Sequence, residues 1–231
     1  MPYRYYVLFH VIAGTLALLG FWTAAFLRKG SPRHRLVGRA YLLAMVVVIA
    51  SGIPLTLQRL ADGHTVTATF LGYLLLITAT SVWAAWRAIR DKHDPVAFTG
   101  PVYRGFAVAN LAAGLGVLGL GWQAGSPLLM GFSAIGLFAG QDMLRKRARI
   151  VGKPLWWREE HYAAMLGNGV ATHIAFLGLG LPRLLPMIDG TALHYVAWFG
   201  PLLVAVVAKP WLDRRFAAGP RRTTGSALAT N

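Results

Sequence analysis

The sequence predicts an all-α fold, a polytopic transmembrane bundle of seven spans with its N-terminus outside and its C-terminus in the cytoplasm. Three observations predict it. Of the 231 residues, 56% are hydrophobic and only 13% are charged, whereas roughly a quarter of a soluble domain is charged. The apolar residues gather into runs near 5–27, 36–58, 66–89, 103–122, 127–144, 161–184 and 192–210, each close to the length of about 20 residues that a helix needs to cross hydrocarbon. All but three of the 23 Lys and Arg residues fall on alternate connections and on the tail, the exceptions being Arg4, Arg59 and Arg183. A charge in hydrocarbon is costly and short basic loops resist translocation, so those connections belong in the cytoplasm.

Each element follows in order. Arg4 precedes the first run, and Thr23, Ala24 and Ala25 loosely match a signal-peptide cleavage site. The run is too long for one, however, and Arg28, Lys29, Arg33 and Arg35 follow at once, so 5–27 is a span entering from outside. The second span carries Arg39 near its inner start, and Pro54 after Gly52 predicts a bend near its outer end. The third leads into a second basic loop of Arg87, Arg90, Lys92 and Arg104. In the fourth, Gly114, Gly116, Gly119 and Gly121 mark a face for close backbone approach, as Gly14 and Ala17 do in the first. Gln123 to Ser126 form a tight outer turn, and Pro127 opens the fifth and shortest span. A third basic loop holds Arg145, Lys146, Arg147, Arg149, Lys153 and Arg158. Trp156 and Trp157 at the inner start of the sixth span, with Trp122 and Tyr195 at outer ends, fit the membrane interfaces where amphipathic rings collect. The seventh span ends at Lys209, and Arg214, Arg215, Arg221 and Arg222 follow. The transmembrane domain thus covers 1–216, and the Gly, Ser, Thr and Arg-rich segment 217–231 reads as a disordered cytoplasmic tail.

A formal charge of +15 would suit nucleic acid, but the basic residues sit beside apolar spans, where anionic headgroups are the nearest polyanion. The expected partner is therefore the lipid bilayer and not nucleic acid, with homo-oligomerisation left open. The chain has no cysteine, which excludes disulfides, thiolate metal sites and a Cys nucleophile. A metal or cofactor must be held by His, carboxylate or backbone.

Polar groups at membrane depth are the candidate site residues, because hydrocarbon makes them expensive without partners. Counting about 1.5 Å per residue from the helix ends puts Arg39, Asn110, Gln141, Asp142, His161 and Asn168 in an inner layer. His161, Asn168 and Thr172 are spaced by seven and four, so they share one helix stripe with Met165. Two arrangements of Asp142 are open: an ion pair with Arg39 joining two spans, or a carboxylate–imidazole pair with His161 able to relay protons or orient a metal ligand. Of the other imidazoles, His34 and His93 lie inside, His10, His64 and His194 outside, and His173 centrally.

The runs His10-Val11-Ile12-Ala13-Gly14, Ala17-Leu18-Leu19-Gly20, Arg28-Lys29-Gly30, His34-Arg35 and Gly38-Arg39, with Tyr41, resemble a bacterial integral-membrane family known as domain of unknown function 2306. The stretch from Glu160-His161 through Met165 to Ala175-Phe176 looks like that family's second landmark. The resemblance covers most of the spans and implies a multi-pass protein of the bacterial inner membrane, but it brings no activity. A weaker likeness is to the cytochrome b561 group, which binds two b haems: a His at the outer start of a helix, a basic turn, then a His opening the next helix is similar to that group's arrangement. The third span here has no His, so second ligands must come from the sixth or seventh.

Three functions follow as expectations. The first is binding or transport of a small molecule, ion or lipid through a polar intramembrane cavity. The second is electron transfer through b-type haem, with His10 and His173 as outer ligands and His34 and His161 as inner ones. The third is a membrane hydrolase using a His-bound metal, although no His pair spaced four apart supplies the usual helical zinc signature. Topology is testable without background labelling, since native cysteine is absent. Single cysteines at Ser31 and Gly152 should react with a membrane-impermeant maleimide only from the inside, and those at Gly63 and Ser126 only from outside. Labelling of Ser31→Cys from outside would reverse the orientation.

Overall fold

The structure is a computed structural model, and it describes residues 3–187 and 190–217. Among them every regular element is helical: α1 (Tyr3–Phe26), α2 (Pro32–Ala61), α3 (Thr65–Arg90), α4 (Pro95–Phe98), α5 (Pro101–Gln123), α6 (Pro127–Gly152), α7 (Trp156–Ile174), α8 (Leu181–Leu184) and α9 (Thr191–Leu212). A π-helical stretch, Ala175–Gly180, joins α7 to α8, and another, Asp213–Ala217, follows α9. Seven helices are long and apolar enough to cross a membrane, with α4–α5 and α7–α8 each making one span. Except for Ala217, the tail expected over 217–231 lies outside the described residues.

The helices overrun the apolar segments at their basic ends. α2 starts at Pro32 because Ser31 caps it, its hydroxyl accepting the His34 N–H at 3.2 Å, and Pro is well suited to the first helical turn. α6 runs 26 residues to Gly152, so the fifth span is not short. Its last two turns are basic, and a charged helix end can stand outside hydrocarbon, so apolar length measures the crossing and not the helix. α2 continues through Pro54 without ending there.

Packing centres on α3 and α7. α3 touches α2, α5, α6 and α7, and α7 also meets α1 and α9. The α5–α6 hairpin is the closest pairing. A Cβ on Gly140 would lie 2.5 Å from the Ala107 carbonyl oxygen, and one on Gly136 would lie 2.7 Å from that of Asn110. Gly114 and Gly121 also face α6, at 3.0 and 2.9 Å, whereas Gly116, Gly119 and Gly14 have open space around them, so only half of the expected glycine face of α5 is used. The missing Cβ of Gly136 also admits Tyr73 from α3. The Tyr73 hydroxyl accepts the Gly136 N–H at 2.7 Å and donates to the Phe132 carbonyl at 2.8 Å, placing itself between two groups that pair directly in an undisturbed helix.

The basic end is closed by a wedge and by ion pairs. Asp94 caps the short α4 by accepting the Ala97 N–H at 2.8 Å, and this turns the fully buried Phe98 inward onto Trp156, 4.7 Å between ring centres. Trp156 is itself only 4% exposed, so it is a core residue and not the interface anchor expected from its position, a role that the exposed Trp122 and Tyr195 do fit. Lys146 bridges two carboxylates, 2.8 Å from Asp142 and 3.0 Å from the buried Glu160, tying α6 to α7. The expected Arg39–Asp142 pair is not formed: Arg39 is exposed on α2, and Asp142, with 57% of its side chain exposed, pairs one turn along its own helix. Depth along one helix does not say which neighbour faces a residue, and Glu160 of α7 is the acid that goes inside.

Removing one partner from a buried ion pair leaves a desolvated charge. Lys146→Met should therefore cost about 3 kcal/mol of stability, while Asp142→Asn should cost under about 1 kcal/mol because that carboxylate is half in solvent. Thermal unfolding in detergent measures both, and Glu160→Gln in the Lys146→Met background should recover part of the loss. Equal costs for Lys146→Met and Asp142→Asn would refute the assignment of Glu160 as the buried partner.

Candidate functional site

The polar residues that come together line the seam where α1, α2, α3 and α7 meet. The heptad-like spacing of α7 turns His161, Asn168 and Thr172 to one side, as expected, with Asn168 fully buried and Thr172 6% exposed. On α2, His34, Tyr41 and Met45 repeat the same seven and four spacing and face them. Tyr41, 1% exposed, had the signal to be chosen from sequence, since it shares the His34 stripe. Thr172 donates to the Asn168 carbonyl at 2.8 Å, so the Tyr41 hydroxyl donates to Thr172 across 3.3 Å, joining α2 to α7. Small residues let the four helices close around this line: Ala17 and Ala85 are fully buried, and Phe21 of α1 lies against Gly169.

At the basic end of the seam, His161 and His34 share one arrangement. Nδ1 of His161 donates to the Ala85 carbonyl at 3.0 Å, and Nδ1 of His34 donates to the Ala24 carbonyl at 3.1 Å. Both imidazoles therefore keep Nε2 free when neutral. The two lie within electrostatic reach of each other and of Lys29. Lys29 closes the C-terminus of α1, donating to the Ala24 and Ala25 carbonyls at 2.9 and 2.6 Å, where the helix dipole favours a cation. Partial burial first, and the charge of Arg215 second, hold the Lys29 ammonium below the ordinary lysine range. His161 does not pair with Asp142, so the expected carboxylate–imidazole pair is absent: its ring turns to α3 and the Asp142 carboxylate to Lys146.

Asn168 is the unusual member. Neither its amide nitrogen nor its carbonyl oxygen has a hydrogen-bond partner, although the residue is fully buried. Asn110, equally buried, is different, because its amide spans α5 to α3 by donating to Thr80 Oγ1 at 2.8 Å and to the Phe106 carbonyl at 2.7 Å, leaving one oxygen unpaired. Asn110 is thus a strut between helices, separate from the seam. Gln141 faces outward on α6 and is exposed.

The remaining imidazoles scatter. With the Ser51 hydroxyl spent on the Val47 carbonyl at 2.6 Å, His10 Nδ1 donates to Ser51 Oγ at 3.1 Å, near the opposite end of α1 and α2. His173 uses both ring nitrogens, donating from Nδ1 to the Gly169 carbonyl at 2.7 Å and accepting the Trp22 indole N–H at Nε2 across 3.0 Å. His64 and His93 are exposed in loops, and exposed His194 packs beside Tyr195 and Trp198.

Comparison with known protein families, with curated proteins and with solved structures finds no match for this chain. The geometry therefore stands by itself in judging cofactors. A haem between His10 and His173 does not fit. His173 sits at the level of Trp22, twelve residues from His10 along α1, which is about 18 Å at the helical rise. The inner pair, His34 and His161, has Nε2 free on both rings, while Phe21, Tyr41 and Met45 pack in an apolar cluster deeper along the seam. For a metal-dependent hydrolase, the described residues hold no group of three His, Asp or Glu able to bind an ion.

An unpaired buried amide costs about 1–3 kcal/mol. In protein stripped of bound small molecules, Asn168→Leu, close in size and without the amide, should unfold a few degrees above the wild type. A lower unfolding temperature would mean that Asn168 has a protein partner after all.

Proposed function

We propose that this chain binds a small hydrogen-bonding ligand inside the membrane, at Asn168, reached from the basic end past His34 and His161. The observation that carries this is the fully buried Asn168 side chain with both donor and acceptor capacity unused. Hydrocarbon offers no water to replace a missing partner, so such a group is retained at a cost unless something else occupies it. Asn168 lies seven residues, about 10 Å, inward of His161, with the Thr172 and Tyr41 hydroxyls beyond it. Lys29 at the mouth favours a neutral or anionic ligand over a cation, and the two free Nε2 atoms add acceptors when neutral and donors when protonated.

The seam favours a binding site over a continuous path. Beyond Thr172 it meets Met45 Sδ at 3.5 Å, and the next polar group along α2 on the way to His10 is Ser51. Passage of a ligand through the protein thus requires the helices to part between Met45 and Gly52. We further infer an inner-membrane location with the basic end in the cytoplasm. The charge asymmetry of the connections supports it.

The test compares unfolding temperatures of washed wild-type protein and Asn168→Leu, each with and without a small-molecule extract of the membranes from which the protein is purified. Extract should raise the wild-type temperature and leave the variant unmoved. An equal rise in both would place the ligand elsewhere. A visible spectrum before and after dithionite addresses haem directly: a Soret band lost in His161→Ala would replace the present reading with the electron-transfer one.

A further inference from the structure

Two elongated grooves cross the outer surface of the bundle, and they differ at their basic ends. One, about 420 Å³, lies between α2 and α3 and ends at Arg87. That guanidinium is already satisfied, paired with Asp91 and set 5.6 Å over the Trp83 ring. The other, about 710 Å³, lies along the α5–α6 hairpin and ends at Gln141 and Arg145. Leu111 and Leu118 of α5, with Met130 and Leu137 of α6, line its length. Among the described residues Arg145 has no carboxylate partner, because Asp142 and Glu160 both go to Lys146, and the exposed Gln141 side chain makes no hydrogen bond to protein.

We infer that this groove is a specific site for an anionic diacyl phospholipid, with one acyl chain lying between α5 and α6 and the headgroup phosphate held by Arg145 and Gln141. The dimensions suit it. Met130 and Arg145 are fifteen residues apart on one helix, about 22 Å, whereas one leaflet of hydrocarbon is about 15 Å deep. A whole chain fits lengthwise. Polarity is graded in the same sense as an amphiphile, with apolar walls and two uncompensated polar groups at one end only. The guanidinium offers a two-pronged donor that matches phosphate geometry, and Gln141, one turn away on the same face, adds an amide donor. The floor of the groove is set by the close approach of the two helices, with Leu137 packed against Gly114 and Leu111 against Gly140.

Native mass spectrometry of the detergent-washed full-length protein tests the site, titrating dioleoyl phosphatidylglycerol and dioleoyl phosphatidylcholine separately. The first phosphatidylglycerol should be retained about ten-fold more tightly than the first phosphatidylcholine. Arg145→Ala should weaken it about five-fold, and Arg149→Ala, one turn further along α6, should leave it unchanged. Ala134→Trp, which fills the groove without touching its charge, should weaken retention of both lipids while unfolding at the wild-type temperature. Equal retention of the two lipids, or equal loss in Arg145→Ala and Arg149→Ala, would show general attraction of anionic lipid and overturn the proposal. So would displacement by glycerol phosphate at the lipid's own concentration, since a headgroup without chains would then suffice.

Discussion

A polar group at hydrocarbon depth must find its partner within the protein, and most of this bundle's cross-helix connections answer that requirement. Tyr73 threads into the ladder of α6, Asn110 reaches Thr80, Tyr41 reaches Thr172, and His161 reaches the Ala85 carbonyl. Each bond joins a different pair of spans, so satisfying the side chains also fixes how the spans sit against one another. Against that background an amide with no partner is informative, and Asn168 occupies such a position at the centre of the seam.

Close packing makes those bonds reachable. Without a hydrophobic drive between helices in lipid, association rests on van der Waals contact and hydrogen bonds. Glycines at 114, 121, 136 and 140 bring α5 and α6 to backbone contact. That approach aligns Asn110 with α3 and sets the outer groove beside Arg145. On the other half of the molecule Ala17 and Ala85 perform the same service for α1, α2, α3 and α7. The two halves meet along α3 and α7, which is why the polar seam and the hairpin strut lie close together yet serve different ends.

Charge is distributed with similar economy at the basic end. Lys146 takes both nearby carboxylates, Lys153 and Lys209 share Glu159, and Lys209 also pairs with Asp213. Eight acids against 23 Lys and Arg leave most cations without a partner in the chain, so their counterions come from water or headgroups. Which cations remain free is decided by helix rotation: Arg145 and Lys146 are neighbours in sequence, but only Lys146 faces α7.

The sequence by itself determined that there are seven apolar helices with basic residues on every second connection, because span length and the cost of buried charge are properties of a single segment in its solvent. It also determined the His161, Asn168, Thr172 stripe, since helical spacing is local. Only the tertiary structure decided which stripes meet. His34 comes within electrostatic reach of His161 while His10 and His173 part, Glu160 and not Asp142 is buried, and Trp156 turns inward behind Phe98. Those outcomes depend on the rotation of each helix and the order of the helices in the bundle. Both are set by small-residue contacts such as Gly136 with Tyr73 and Gly169 with Phe21, which couple residues too far apart in the chain for any spacing rule to link.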